Sequence, residues 1–438
     1  MKKRIIATIL TGVVTVSALA QVSKTLSPYS QFGLGTLADQ SLSVSRGMGG
    51  VGLAMRDGKA VNMLNPASYS AVDSLTMIFD MGVSGQITNF KEGGRKMNRN
   101  TADFDYAVAL FRIMPKMGVS FGIVPFTNVG YNYYNTSRSE ENPNLTLTNQ
   151  YTGTGGLSQA FLGVGYEVLK GLSVGANLSY LWGDFSRTVT NTSNESYAKV
   201  LTKTYSATIN SYKLDFGVQY QHAIDKNNLL TVGATVGLGH HLGANANLAS
   251  VTSEPLTGTS FSTTDSVPDA YSIPFSVGAG VNLVHKNSWT FELDYALQKW
   301  SSLASPMQTS AITADHQLGY QSVNGMLIDR HKVNIGADWI PEPNTLSRRS
   351  IFRRTHYRIG ASYATPYYKI SDQNGPRELS VSAGVGIPIV NSWNNRSVLN
   401  ISAQWVNTSS SHFITENTFR INIGLTFNER WFAKWKVD

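Results

Sequence analysis

Two glycine-rich spacings match motifs that do chemistry elsewhere. Gly47-Met48-Gly49-Gly50-Val51-Gly52 satisfies G-x-G-x-x-G, which in a strand-to-helix turn offers backbone N–H groups to a pyrophosphate. Gly118-Val119-Ser120-Phe121-Gly122 satisfies G-x-S-x-G, which on a strand-to-helix elbow exposes a nucleophilic serine. Neither has that context. No strand pattern precedes the first and no helical period follows it, and the second lies inside a continuous alternating segment. The eight histidines, His240-His241 among them, are scattered, and the chain has no cysteine. The residues therefore offer no catalytic centre, no metal site and no cofactor site, and no Ser/His pair suited to a phospholipase. The expectation is a protein that is not an enzyme.

The other chemistry-bearing residues are charges embedded in apolar alternation: Asp215, Glu292, Asp294, Asp338, Arg358, Glu378 and Arg420. The elements that carry them have period two. Phe275, Val277, Ala279, Val281 and Leu283 alternate with Ser276, Gly278, Gly280 and Asn282, and Trp289, Phe291, Leu293, Tyr295 and Leu297 alternate with Thr290, Glu292, Asp294 and Ala296. Leu75 to Val83 and Phe419 to Phe427 repeat the pattern. Successive strand residues point to opposite faces, so each segment has one greasy face and one small or polar face. The polar faces are rich in Gly, Ser, Thr and Asn rather than Lys and Glu, which favours a membrane barrel over a soluble sandwich. The charges then face the lumen, where pairing with one another or with a plug is their expected role. An Arg or Lys facing lipid at midplane would cost about 2–4 kcal/mol.

Fourteen such segments are expected, near 74–88, 103–113, 117–134, 156–168, 172–183, 204–222, 228–242, 272–285, 287–300, 330–340, 355–365, 377–387, 397–406 and 418–427. The predicted fold class is all-β, a transmembrane antiparallel β-barrel of 14 strands. Long connections at 89–102, 135–155, 184–203, 243–271 and 301–329 alternate with short turns, as external loops and periplasmic turns do. The connection 341–354, with four arginines, is longer than the rule for a periplasmic turn; it reads as a solvated turn or a docking patch.

The flanking segments complete the organisation. Lys2, Lys3 and Arg4, the apolar run Ile5 to Val16 and Ala18-Leu19-Ala20 predict a cleaved signal peptide over 1–20. Its removal leaves 33 basic against 28 acidic residues, a net +5 without clustering, so no nucleic-acid partner is expected. Residues 21–73 carry seven glycines and no sustained alternation, and are expected to fold into the lumen as a hatch. A fourteen-stranded barrel left unfilled would be an open pore. The barrel is assigned to 74–427 and a periplasmic tail to 428–438.

The segment Arg46 to Ala54, with Gly47, Gly49 and Gly52, followed by Asn62-Met63-Leu64-Asn65-Pro66-Ala67, resembles the N-terminal hatch of the FadL-type long-chain fatty-acid transporters. Gly118 to Phe126 resembles that family's glycine-rich third strand ending in Pro-Phe, and Trp289 to Ser302, Tyr357 to Pro366, Pro376 and Leu379 to Gly386 follow in the family's order. The chain departs from the pattern after Phe427, where eleven further residues follow. The resemblance implies diffusive passage of fatty acids or other hydrophobic molecules through a hatch-gated lumen. It also implies a lateral exit at a kink in the third strand, which falls here at Pro125, Phe126, Gly130 and Tyr131. The lumenal charges singled out are Glu292, Asp294, Arg358 and Glu378, with Arg358 a candidate for a ligand carboxylate. The expected setting is the outer membrane of a Gram-negative bacterium, as a monomer among outer-membrane lipid and lipopolysaccharide. The alternative is a non-transport FadL-like barrel that serves as accessory or anchor for secreted or surface proteins.

Overall fold

The computed structural model describes residues 26–430 except 75, 139–141, 143, 313–317, 344–350, 390–396 and 411–412. The expected signal peptide, the tail beyond 430 and half of the arginine-rich connection lie outside the described residues.

Fourteen antiparallel strands form one closed sheet, as the alternation predicts. They are β1 (Thr76–Glu92), β2 (Arg95–Met114), β3 (Met117–Arg138), β4 (Thr146–Leu169), β5 (Leu172–Ser193), β6 (Val200–Ala223) and β7 (Asn228–Gly237). Then come β8 (Ser276–His285), β9 (Trp289–Gln298), β10 (Arg330–Trp339), β11 (His356–Ala364), β12 (Arg377–Pro388), β13 (Val398–Ser409) and β14 (Thr415–Arg430). Each pairs with the next, and β14 closes on β1 from Thr76↔Arg430 to Lys91↔Thr415. The apolar rows point outward: Met81, Val83, Phe291, Leu293, Ile421 and Ile423 are each 45–53% exposed. Their alternate neighbours Asp80, Ser84, Glu292, Asp294 and Asn422 are buried.

Four boundaries are corrected. The connections expected at 89–102, 135–155 and 184–203 are largely strand, because β1 to β6 run on as hairpins wet on both faces, where greasy alternation fades. The first of these hairpins turns on Gly93 and Gly94, with φ of 51° and 84°. Such a two-residue glycine turn matches the right-handed twist of its strands. The last strand does not stop at Phe427, since Asn428, Glu429 and Arg430 pair with Ile78, Met77 and Thr76. Within 243–271 a hairpin, Ala246–Glu254 and Thr259–Val267, adds to the edge of β6 from Val200 to Ser206. In the arginine-rich connection, exposed Arg353 pairs with half-buried Glu342 at 2.7 Å.

Residues 26–73 pack against the inward faces of the strands. They hold two short 3-10 turns, Pro28–Gln31 and Pro66–Ala71, and one helical turn, Ser43–Arg46. Two apolar clusters fill the described interior. One joins Tyr29 and Leu34 to Val129, Tyr131, Phe185, Trp300, Tyr367 and Tyr368, and the other joins Leu42, Val61 and Tyr69 to Ile78, Tyr106 and Phe161.

Candidate functional site: a cavity through the barrel wall

Strands β2 and β3 share a ladder only from Met114↔Met117 to Ala107↔Ile123. Beyond Ile123 the two part, β2 staying with β1 and β3 with β4. The cause is local. Pro125 has no N–H to donate, and the β3–β4 register shifts between Pro125 and Thr127, a bulge that turns the strand. The extra residue flips the faces. Phe121 and Ile123 are each 44% exposed on the outside, whereas Thr127, Val129 and Tyr131 are buried inside.

The N-terminal segment covers the inward-bent edge of β3. Thr36 and Leu37 pair with Asn128 and Thr127, Ala38 N donates to Phe126 O at 3.0 Å, and Ser27 N donates to Gly130 O at 2.8 Å. Gln40 Nε2 donates to Pro125 O at 2.8 Å. A cavity of about 920 Å³ lies where the strands part. Met81, Phe121 and Ile123 line it on the outside, and Asp39, Arg46, Arg330 and Lys332 line it from the lumen, so it reaches both faces of the wall.

The lumenal charges hold backbone. Asp294 Oδ2 accepts from Gly52 N at 2.7 Å and Leu53 N at 3.0 Å, while Glu292 Oε1 accepts from Ala54 N at 3.0 Å. Glu378 borders the cavity. Arg358 does not. Its guanidinium lies 3.4 Å from Asp338 and donates to Asn400 at 2.6 Å, packed beneath Gly47 and Gly386, so its candidacy for a ligand carboxylate is withdrawn.

The glycines of 47–52 are spent on close approach rather than on a phosphate. Gly49 and Gly50 have φ of 71° and 79°, and a Cβ on Gly49 would sit 2.6 Å from Ala361 N. Asn65-Pro66-Ala67 starts the second 3-10 turn. Asn65 Oδ1 accepts from Ala67 N, its Nδ2 donates to Leu53 O at 2.7 Å, and Pro66 occupies the first-turn position where a missing N–H costs nothing. Ser120 of the G-x-S-x-G match is fully buried, its hydroxyl donating to Ala109 O at 2.8 Å.

Sequence reasoning missed Asp39 and Lys332, and gave Arg46 no role beyond opening the hatch-like segment. Arg46 Nη1 lies 2.5 Å from Asp105, and its guanidinium sits 5.3 Å over the Tyr106 ring. Burial opposes the charge of Arg46, but Asp105 and Asp39 more than offset it and raise its pKa. Burial likewise disfavours ionised Asp39, yet Lys332, Arg46 and the Ser41 N–H hold its carboxyl below the usual range. A depressed folded pKa stabilises above the unfolded pKa and is lost as pH falls through the folded value. Protection of amides 36–41 is therefore expected to be flat from pH 8 to about 5 and to fall below about pH 4. Asp39→Asn lowers it above about pH 5, meets the parent at low pH and abolishes the acid step; hydrogen exchange at several pH values checks this.

A closed antiparallel sheet of fourteen strands is the fold of FadL-type barrels. The fold is shared with the Ralstonia pickettii toluene transporter TbuX, at TM-score 0.59 and 15% identity over 89% of this chain and 98% of that one. It is shared with the P. putida toluene transporter TodX at TM-score 0.60 and 12% identity, over 90% and 100% of the chains. A Pseudomonas aeruginosa FadL homologue matches at TM-score 0.57 and 11% identity, over 91% and 100%. No curated protein matches the sequence. The family model BamG matches residues 1–438, and the chain belongs to the BamG family.

Proposed function

We propose that this barrel is an outer-membrane channel that passes hydrophobic small molecules, fatty acids or hydrocarbons, by diffusion. Residues 21–73 act as its hatch, and the parting of β2 and β3 is its lateral exit. The signal peptide exports the chain, which works as a monomer among outer-membrane lipid and lipopolysaccharide. The carrying observation is the cavity of about 920 Å³ that reaches from Lys332 in the lumen to Phe121 on the outer face. Burying one methylene is worth about 0.8 kcal/mol, so an apolar path through the wall extracts an alkyl chain from water and delivers it sideways to lipid. The toluene transporters that share the fold support the ligand class.

The chain has no cysteine, which makes a clean test available. Phe104→Cys with Asn128→Cys places one thiol on each side of the cavity lining. Joining them with a short bismaleimide is expected to cut uptake of radiolabelled toluene and of oleate about tenfold or more, reversibly so with a reducible linker. Uptake that is unchanged by the bridge excludes this exit.

A second reading is a barrel that holds a protein partner and transports nothing. Its supporting observation is the packing of the lumen around Tyr29, Tyr131, Trp300, Tyr367 and Tyr368, each at most 6% exposed. Strands β1 to β6, at 17–24 residues, also outrun the about 9–11 needed to cross a bilayer. Absence of uptake by the unmodified barrel, together with a protein that copurifies through these hairpins, selects it.

A further inference from the structure

The outer face of the first hairpin changes character in steps. On β1 the outward residues run Met81, Val83, Gly85, Ile87, then Asn89, then Lys91. Ile87 is 51% exposed and stands beside Phe419 of β14 at 48%. One outward step on, four asparagines form a row across four strands. Asn98 pairs with Asn89, Asn89 with Asn417, and Asn417 with Asn407. Their side chains hydrogen-bond in two pairs, Asn89 to Asn98 at 2.5 Å and Asn407 to Asn417 at 2.9 Å. The next outward step is basic. Lys91 stands directly opposite Lys96, and on β12 Arg377 is the next outward residue past Leu379, the partner of Asn407.

This arrangement is costly by itself. Like charges directly opposite on one face of a sheet destabilise it. All three cations are exposed, and among the described residues none has a carboxylate within ion-pair distance. The hairpin's own acid, Glu92, is opposite Arg95 and so lies on the other face. Lys91 is four residues past Ile87, about 13 Å along the strand and about 10 Å along the membrane normal at the usual strand tilt, which sets it beyond the apolar wall at the level of the headgroups.

We propose that Lys91, Lys96 and Arg377 form a binding site for the phosphates of a phosphorylated glycolipid of the outer leaflet, with the asparagine row marking its sugar level. The inference rests on the reading of the barrel as an outer-membrane protein, and not on transport. An anion between Lys91 and Lys96 turns a repulsive pair into a bridged one, and the acyl chains continue down the Ile87 and Phe419 wall. Soluble anions lack that second contact, which is why the lipid is favoured.

Detergent-purified barrel, its folding confirmed by heat-modifiable migration, is titrated with bis-phosphorylated lipid A and with its dephosphorylated form, and binding is read by native mass spectrometry. The phosphorylated form is expected to bind more tightly. Each cation contributes about fivefold at such a surface, so Lys91→Gln, Lys96→Gln and Arg377→Gln together lose about 100-fold. Arg95→Gln with Arg99→Gln, on the opposite face, changes nothing. Equal binding of the two lipids, an unaffected triple variant, or displacement of lipid A by equimolar inorganic phosphate each overturns the proposal. Failed hydrocarbon uptake leaves it standing, whereas a barrel that folds only without detergent or lipid removes the reading beneath it.

Discussion

Gly360→Val is expected to unseat residues 47–52 while leaving the fourteen strands paired. A Cβ at position 360 would lie 2.1 Å from Met48 C and 2.2 Å from Gly49 N, and at Gly336 on the neighbouring strand it would lie 2.3 Å from Met48 O. All three are backbone atoms, which cannot swing aside as a side-chain tip can. Overpacking of this kind costs about 3 kcal/mol at the upper end, equivalent to roughly 100-fold in a local opening equilibrium. Amide protection of residues 45–54 should fall by that factor. In planar bilayers the variant should pass ions in excess of the parent barrel. Gly85→Val is the control, because nothing lies within 4 Å of a Cβ there. Protection in Gly360→Val as high as in Gly85→Val would mean that the segment does not depend on this close approach.

Arg46→Met has the other large expected effect. The guanidinium is 5% exposed, pairs with Asp105, and donates to Ser41 O and Asn422 Oδ1, each at 3.1 Å. Removing it leaves the Asp105 carboxylate among Ser84, Tyr106 and Asn422 without its counter-charge. Breaking a buried pair from one side typically costs about 3–5 kcal/mol, far more than the net worth of the pair. The loss should appear as a lower urea midpoint for protection of residues 41–50. Arg46→Met combined with Asp105→Asn should recover more than half of it, because position 105 is then neutral and Asp39 keeps Lys332. A double variant as weak as the single one would show that packing over Tyr106, and not charge, is what Arg46 supplies.

The barrel was legible because its signal is local. Side-chain direction in a strand alternates every residue, so Phe291, Leu293 and Tyr295 declare an outward face without reference to any other part of the chain. The short turns were legible for the same reason: Lys116, Gly171 and the Lys286-Asn287 pair all have positive φ where the sequence places them between strands. Gly93-Gly94 carried an equally local signal that the alternation count overlooked. The inward glycines were legible only as a composition, small residues on the polar face. Gly118, Gly175, Gly217 and Gly233 would each put a Cβ within 2.4 Å of an atom of residues 53–69, and nothing near them in the chain announces that neighbour.

What the sequence by itself determined is therefore the number of strands, the greasy face of each and the inward placement of Glu292 and Asp294. All follow from a two-residue period and from the cost of charge against lipid. What only the tertiary structure decided is which groups meet across the ring. The acceptors of Gly52 and Leu53 lie some 240 positions away, Arg46 finds Asp105 and Asn422 on β2 and β14, far apart in the chain but both flanking β1, and one bulge after Pro125 reverses the faces of β3. Closure of the sheet brings these residues together, and closure depends on all fourteen ladders at once, so no window of the chain contains it.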